Sequence, residues 1–247
     1  MLHVKSISDD FYVNVNVNTE MELPTSREGV MHYFEQMQRR YPTMKHFYTR
    51  ERGEYVLEED KEPGFYRWTS VEPRRICTGY VNPDDYGQAI AQHEYVLEQL
   101  PYTLSVSPLD CESLNFMFGF DFTYRGNHNE LIAEALGLTP AFERLAEIAG
   151  TRLISHDPAV QFSLDEDCRV QCRISIESRT NIYHVRTGEF PEEQLSVYLT
   201  VRRYGSLEPG QTFVQAIKPL QEHAEQIVEG HLINNVLVPL QQAIAIK

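Results

Sequence analysis

The chain has 247 residues, of which 42% are hydrophobic, so it is long enough to bury a sizeable core in one large domain or two small ones. Its formal net charge of −14 disfavours nucleic-acid binding, which depends on clustered Lys and Arg side chains. The sequence has neither a signal-peptide-like apolar run nor a stretch long enough to span a membrane. We therefore expect a cytoplasmic protein without a membrane partner.

The first part of the chain predicts a strand, a helix, a meander of short strands and a second helix. Residues 11–18, FYVNVNVN, alternate between apolar and polar side chains, which is typical of a half-buried strand. The spacing of Thr25 and Glu28 predicts a capping box at the start of the first helix. Asn82 as a cap and Pro83 at the first helical position predict the start of the second helix.

A cluster of titratable side chains follows in the middle of the chain. In residues 114–124 every second side chain is apolar and mostly aromatic, which predicts a strand with one buried face. Asp121 and Arg125 fall on the opposite face, and His128 and Glu130 come shortly afterwards. This is the first place where the sequence suggests a ligand-binding site.

Two interpretations of this cluster compete. In the first, Asn127 caps a short helix and Glu130 is its capping-box partner, because the amides of a first helical turn need acceptors. In the second, Arg125, His128 and the free amides of that turn bind an anionic ligand. The requirements of a helix start already account for Asn127 and Glu130. The sequence therefore favours the first interpretation, in which His128 points to solvent and its replacement by alanine is nearly silent.

The second part of the chain predicts two short helices, an antiparallel meander and a long C-terminal helix. The meander is expected within residues 159–205, with residues 181–188 as part of it and Cys168 among the inward-facing side chains. Thr212 and Gln215 have the spacing of a cap at the start of the last helix.

Cysteine and histidine positions give no metal-binding pattern. The four cysteines form no C-x-x-C pair and are expected to be small buried residues in a reducing compartment. His93 lacks a second His at the spacing of a zinc-binding helix. His223 and His231 would lie roughly 12 Å apart along a helix, too far to share one ion. We therefore expect no metal and no cofactor.

The order of the elements lacks the strand–helix–strand alternation of parallel sheets, which predicts an α+β fold. We expect two similar halves of antiparallel meander sheet packed by helices, with a long C-terminal helix. The halves are residues 1–126 and residues 127–247, which either form separate domains or share one continuous sheet.

This order of elements resembles that of a sporadically distributed bacterial family of uncharacterised α+β proteins of about this length. The resemblance rests on the strand FMFGFDFTY, a strand of the RLISH type near the middle of the chain, and the helix LQEHAEQIVEGHLINNVLVPL. It implies an α+β fold and assigns no catalytic residues.

Two functions are compatible with these patterns. The first is a non-catalytic binding or interaction protein of unknown partners, which could assemble as a homo-oligomer. The alternative is a small-molecule-binding protein or enzyme with a pocket between the C-terminal sheet and the last helix. Tyr183 or Tyr198, an arginine from a hairpin and His223 would supply the polar groups of that pocket. The candidate ligand-binding residues are Asp121, Arg125, His128, Glu130 and His223.

Overall fold

The computed structural model of the protein describes residues 6–24, 26–50 and 53–247. Within these residues nine strands form one antiparallel sheet: β1 (Asp10–Thr19), β2 (His46–Arg50), β3 (Glu54–Glu58), β4 (Tyr66–Glu72), β5 (Arg75–Val81), β6 (Cys111–Arg125), β7 (Ala159–Ser163), β8 (Val170–Glu177) and β9 (Glu192–Tyr204). The helices are α1 (Arg27–Arg40), α2 (Tyr86–Thr103), α3 (His128–Leu136), α4 (Pro140–Ala146), α5 (Ile182–Thr187), α6 (Phe213–Ile227) and α7 (Val238–Ala245).

The strand order β2-β3-β4-β5-β1-β6-β9-β8-β7 contains the same path twice. Each half begins with a central strand, β1 or β6, and continues through a helix to the far edge of the sheet. It then returns strand by strand to the side of its first strand. The two first strands pair with each other in the middle. The predicted α+β fold with two similar meander halves is therefore confirmed, and the halves share one continuous sheet. The repeated path starts anew at β6, a strand that the sequence analysis placed in the first half. The boundary at residue 126 stays a prediction.

One face of the sheet is covered by helices. The alternation of β1 and β6 turns Val13, Val15, Phe116 and Phe118 towards this face, where they are buried. Helices α2 and α6 contact it directly, and α1 packs against α2. The long C-terminal helix of 33 residues comprises α6, a π-helical segment (Val228–Leu237) and α7, and the predicted Thr212–Gln215 capping box begins it. None of the helices in the described ranges is long and apolar enough to cross a membrane.

The opposite face, which we call the open face, carries the alternate residues of the same strands. On β1 these are Tyr12, Asn14, Asn16 and Asn18, and their cross-strand partners continue the surface in both directions. Two depressions in this face are lined by side chains from strands and from one turn. The open face is therefore polar, aromatic and in contact with solvent.

Two glycines shape the open face. A Cβ atom at Gly119 would collide with the ring of Tyr12, and one at Gly79 would collide with the indole of Trp68 and the side chain of Asn14. Neither glycine is needed for a left-handed backbone, because neither has a positive φ. They leave room for two aromatic rings to lie across the strands.

The structure corrects two sequence predictions in the first half. The residue that caps α1 is Ser26, whose hydroxyl accepts from the amide of Gly29, and Thr25 lies outside the described residues. Asn82 does not cap α2, which begins after Asp85. Instead Asn82 has a positive φ of 48° and its side chain donates to Asp10 of β1 and to the carbonyl of Gly64. It joins the end of β5 to β1.

The second half contains further corrections. Residues 181–188 were expected to be extended, but α5 forms there, begun by a capping box between Asn181 and His184. Cys168 is exposed in the turn before β8 with φ of 55°, so the prediction that it is buried is wrong, whereas the other three cysteines are buried. Residues 152–156 form no strand, so the expected strand of the RLISH type is absent.

Candidate ligand-binding site

The larger depression in the open face has a volume of about 550 Å³, and every side chain that lines it comes from a strand. We call it the arginine cavity, because three guanidinium groups face it. Its lining residues are Asn16, Arg75, Met117, Gln161, Gln171, Arg173, Ser175, Glu177, Tyr198, Thr200, Arg202 and Tyr204. Strands from both halves of the chain contribute to it, although most of the lining belongs to β8 and β9.

The strand register brings two of the arginines together. Strand β8 pairs with β9 so that Arg173 lies opposite Thr200 and Gln171 lies opposite Arg202. The two arginines are therefore diagonal neighbours on the same face, a relation that separates Cα atoms by about 7–8 Å. Two positive side chains of this length reach into the same space.

The charges around these arginines are unevenly compensated. Arg75 forms an ion pair with Glu72 at 2.6 Å, and Glu177, the acidic residue of the lining, is 3.4 Å from Arg179. Within the described ranges Arg173 has no carboxylate partner.

Arg202 is held by neutral groups. Its guanidinium donates to the side-chain carbonyl of Asn115 and to the hydroxyl of Tyr204 at 3.1 Å. Each of these partners belongs to β6 or β9, so the sheet itself fixes the side chain. Arg173 and Arg202 thus form a local positive site in a chain of strongly negative net charge.

A smaller depression of about 300 Å³, the carboxylate cavity, lies elsewhere on the same face. It is lined by Asp10, Tyr12, Asn14, Arg50, Glu58, Lys61, Tyr66, Trp68, Val81, Asp121 and Gln194. Asp10 and Asp121 are direct cross-strand neighbours on β1 and β6. Burial raises the pKa of Asp121, and the nearby charge of Asp10 raises it further. Tyr12 donates to Asp121 at 3.4 Å, and its ring contacts that of Tyr198 in the arginine cavity.

The residues predicted from the cluster at 121–130 do not meet in one place. Asp121 lines the carboxylate cavity, and Arg125 lies beside Tyr183 in a shallow depression at the end of β6. Glu130 lines a third cavity of about 830 Å³, formed largely by apolar side chains around α4. The structure therefore assigns these three residues to three different surfaces.

The side chain of His128 contributes to the packing of the protein interior. The side chain is buried, its Nε2 is 3.2 Å from the carbonyl of Tyr124, and its Nδ1 accepts from the amide of Arg179 at 3.3 Å. Burial lowers the pKa of His128, which favours the neutral ring. The expectation that His128 points to solvent is therefore wrong.

The start of α3 follows the capping interpretation in part. Asn127 is the cap, as predicted, and its side chain accepts from the amide of Asn129 at 3.1 Å. The amide of His128 donates to the hydroxyl of Thr180. Glu130 is exposed and does not complete a capping box, so that part of the prediction is wrong. The amides of the first two helical residues already have partners within the chain.

The pocket expected between the C-terminal sheet and the last helix is not built from the residues proposed for it. His223 belongs to α6, which covers the buried face of β6 and β9. Tyr198 lies on the open face of β9, and Tyr183 is exposed on α5. His223 and Tyr198 are therefore on opposite sides of the sheet, and Tyr183 lines a depression to which neither of them contributes.

The sequence also contains a signal for the arginine cavity. The apolar positions of β8 and β9 identify their buried face, and the same alternation assigns Arg173, Tyr198, Arg202 and Tyr204 to the other face. Alternation does not give the order of the strands across the sheet. That order determines which of these residues are neighbours.

Comparisons with known proteins returned no match: no protein-family model fits the chain, and neither does a curated protein. The resemblance to the bacterial α+β family therefore stays a prediction. Within the described part of the chain, no group of three or more His, Cys, Asp or Glu side chains is placed to hold a metal ion.

Proposed function

We propose that the protein is a non-catalytic binding protein whose recognition surface is the open face of the sheet. The observation that carries this proposal is the make-up of the arginine cavity. It combines two arginines that form no ion pair within the described ranges, Arg173 and Arg202, with tyrosines and neutral hydrogen-bonding side chains in a concave site of small-molecule size. Such groups bind and orient a ligand.

The shape of the face supports the same conclusion. Antiparallel sheets commonly have one face in contact with solvent, and polar side chains alone are enough to make such a face compatible with water. Here, however, Gly79 and Gly119 make room for the rings of Trp68 and Tyr12, which stay only partly buried. Partly exposed aromatic rings held flat against a backbone are suited to contact with a ligand.

A thermal-shift screen against metabolites tests the proposal, because a ligand that binds only the native state must raise its stability. We expect at least one compound to raise the Tm by several degrees. Its effect should fall sharply in Tyr198→Ala, which alters the open face, and persist in Tyr102→Ala. Tyr102 is a suitable control because it is 83% exposed on α2. Equal stabilisation of both variants would locate binding elsewhere and contradict the proposal.

We also propose that a second copy of the chain covers the edge of the sheet at β7. Large apolar side chains with about half of their surface exposed are concentrated near this edge: Phe142, Leu145, Ile148, Ile154, Val160 and Phe162. All five residues of β7 are exposed, and none is charged. At the other edge, β2 carries Arg50, and charge on an edge strand discourages pairing with another chain.

Self-pairing is the form of contact that β7 suits best. Two β7 strands that pair antiparallel about Gln161 place Val160 opposite Phe162 of the partner subunit, so that one apolar patch faces itself. Light scattering coupled to size-exclusion chromatography tests this proposal. We expect a dimer that Phe162→Lys converts to a monomer and that Phe47→Lys, on the opposite edge, leaves intact. A parent chain that remains monomeric at every concentration would refute it.

A further inference from the structure

We propose that the arginine cavity binds a small molecule through a multivalent oxyanion, namely a phosphate ester or a di- or tricarboxylate. This inference rests on the proposed function of the open face and adds the class of ligand. It draws on the charge of the cavity, the geometry of its donors and the composition of its walls.

The charge of the cavity calls for an anion. Arg173 and Arg202 are diagonal neighbours on β8 and β9, and within the described residues neither forms an ion pair with a carboxylate. Like charges held close on one face of a sheet repel each other. A bound oxyanion removes this repulsion and satisfies both guanidinium groups at once.

The donors are suited to bidentate binding. A guanidinium has five N–H donors in a planar fork, which matches the oxygens of a carboxylate or phosphate. Arg202 uses its Nε and one Nη1 hydrogen on Asn115 and Tyr204. Three donors therefore remain on a side chain that the sheet already holds in place. Arg173 keeps all five, because no hydrogen bond from its side chain forms within the described ranges.

The walls of the cavity accommodate the rest of a small molecule. Tyr198 and Tyr204 are half-buried and offer ring surface, and Met117 contributes to the floor. Gln161 and Gln171 bring neutral amides at the side of β7 and β8. The volume of about 550 Å³ falls within the range of small-molecule sites. A ligand with an anionic head and a compact body fits these features.

Isothermal titration with pyrophosphate and with citrate, each at matched ionic strength in chloride, tests the inference on the full chain. We expect at least one of the two to bind to the parent chain. Arg173→Gln should weaken that binding about tenfold or more, since a hydrogen bond to a charged group contributes this much to affinity. Arg144→Gln is the matched control, because Arg144 is exposed on α4, away from the cavity.

The outcomes separate this inference from the function on which it rests. Binding of pyrophosphate alone identifies a phosphate ester as the ligand type, and binding of citrate alone identifies a polycarboxylate. Failure of both anions to bind, or equal binding to Arg173→Gln and the parent, overturns the anion inference. The proposed function survives that result if a compound from the metabolite screen still depends on Tyr198. Arg173→Gln should fold normally, as its side chain has no hydrogen-bond or ion-pair partner among the described residues, and circular dichroism checks this.

Discussion

His93 lies in the interior on α2, where the backbone of Val13 is near its ring but neither ring nitrogen forms a hydrogen bond of ordinary geometry within the described part of the chain. Its burial lowers the pKa to about 3, from an ordinary value of 6.5. Between these values the unfolded chain binds a proton at His93 and the native chain does not. The free energy of unfolding should therefore fall as the pH drops below 6.5, by up to about 1.4 kcal/mol per pH unit.

The substitution His93→Leu should remove this dependence, because leucine carries no titratable group and leaves no unpaired ring nitrogen. Urea titrations at pH 7 and pH 5 measure it. We expect the variant to lose less stability than the parent between the two pH values. Asp121, whose raised pKa acts in the opposite sense at lower pH, is present in both chains and cancels from the comparison. Equal losses would show that His93 is accessible to protons in the native state.

A second prediction concerns the start of α3. Asn127→Ala removes the acceptor of the Asn129 amide and should cost about 1 kcal/mol of stability. His128→Ala should cost more, on the order of 2 kcal/mol, because it leaves a cavity and two unpaired backbone groups. Chemical denaturation measures both, with Arg125→Ala as an exposed control that should change little. A silent His128→Ala would contradict the buried position of the ring.

The close contact between strand β6 and the ring of Tyr12 at Gly119 can be tested directly. Gly119→Ala must displace the ring of Tyr12, so it should destabilise the protein by about 1–3 kcal/mol. It should also lower the affinity for any ligand that binds to this face. Gly230→Ala is the control, since nothing lies near its missing side chain and alanine favours helix. Thermal unfolding and the ligand titrations described above provide the two measurements. A Gly119→Ala variant as stable as the parent would show that Tyr12 moves freely.

The sequence predicted elements best where the pattern was long. The alternation in β1, β6 and β9 extends over ten or more residues each, and their buried faces agree with the predicted ones. Helix α5 has six residues, too few to show a helical period, and its capping box between Asn181 and His184 uses a histidine in an unusual role. The candidate site residues at 121–130 do not come together, for a different reason. Asp121, Arg125 and Glu130 are near in sequence but face different surfaces, whereas Arg173 and Arg202 meet through strand order.

At the scale of the whole molecule, the two similar halves should unfold together. Strands β1 and β6 pair over almost their full length, and the side chains beneath them belong to one core. The chain has a single tryptophan, Trp68 on β4, so its fluorescence reports on the first half only. Far-UV circular dichroism reports on both halves.

We therefore expect the urea transitions followed by fluorescence and by circular dichroism to coincide. Two separate midpoints would instead show that the halves are independent domains. One of the variants, His128→Ala, provides a further check. His128→Ala, which lies in the second half, should shift the fluorescence midpoint of Trp68 as much as it shifts the dichroism midpoint.

The position of β9 between β6 and β8 has a consequence for synthesis on the ribosome. Strand β6, with its row of phenylalanines, can pair with β1 once both have been made, but the partner of its other side, β9, comes later in the chain. Roughly 70 residues separate the two strands, which corresponds to several seconds of translation at about 5–20 residues per second. During that interval the nascent chain presents an aromatic strand edge, the kind of surface that chaperones and other nascent chains bind. Folding in the cell should thus depend on how quickly the ribosome completes the second half.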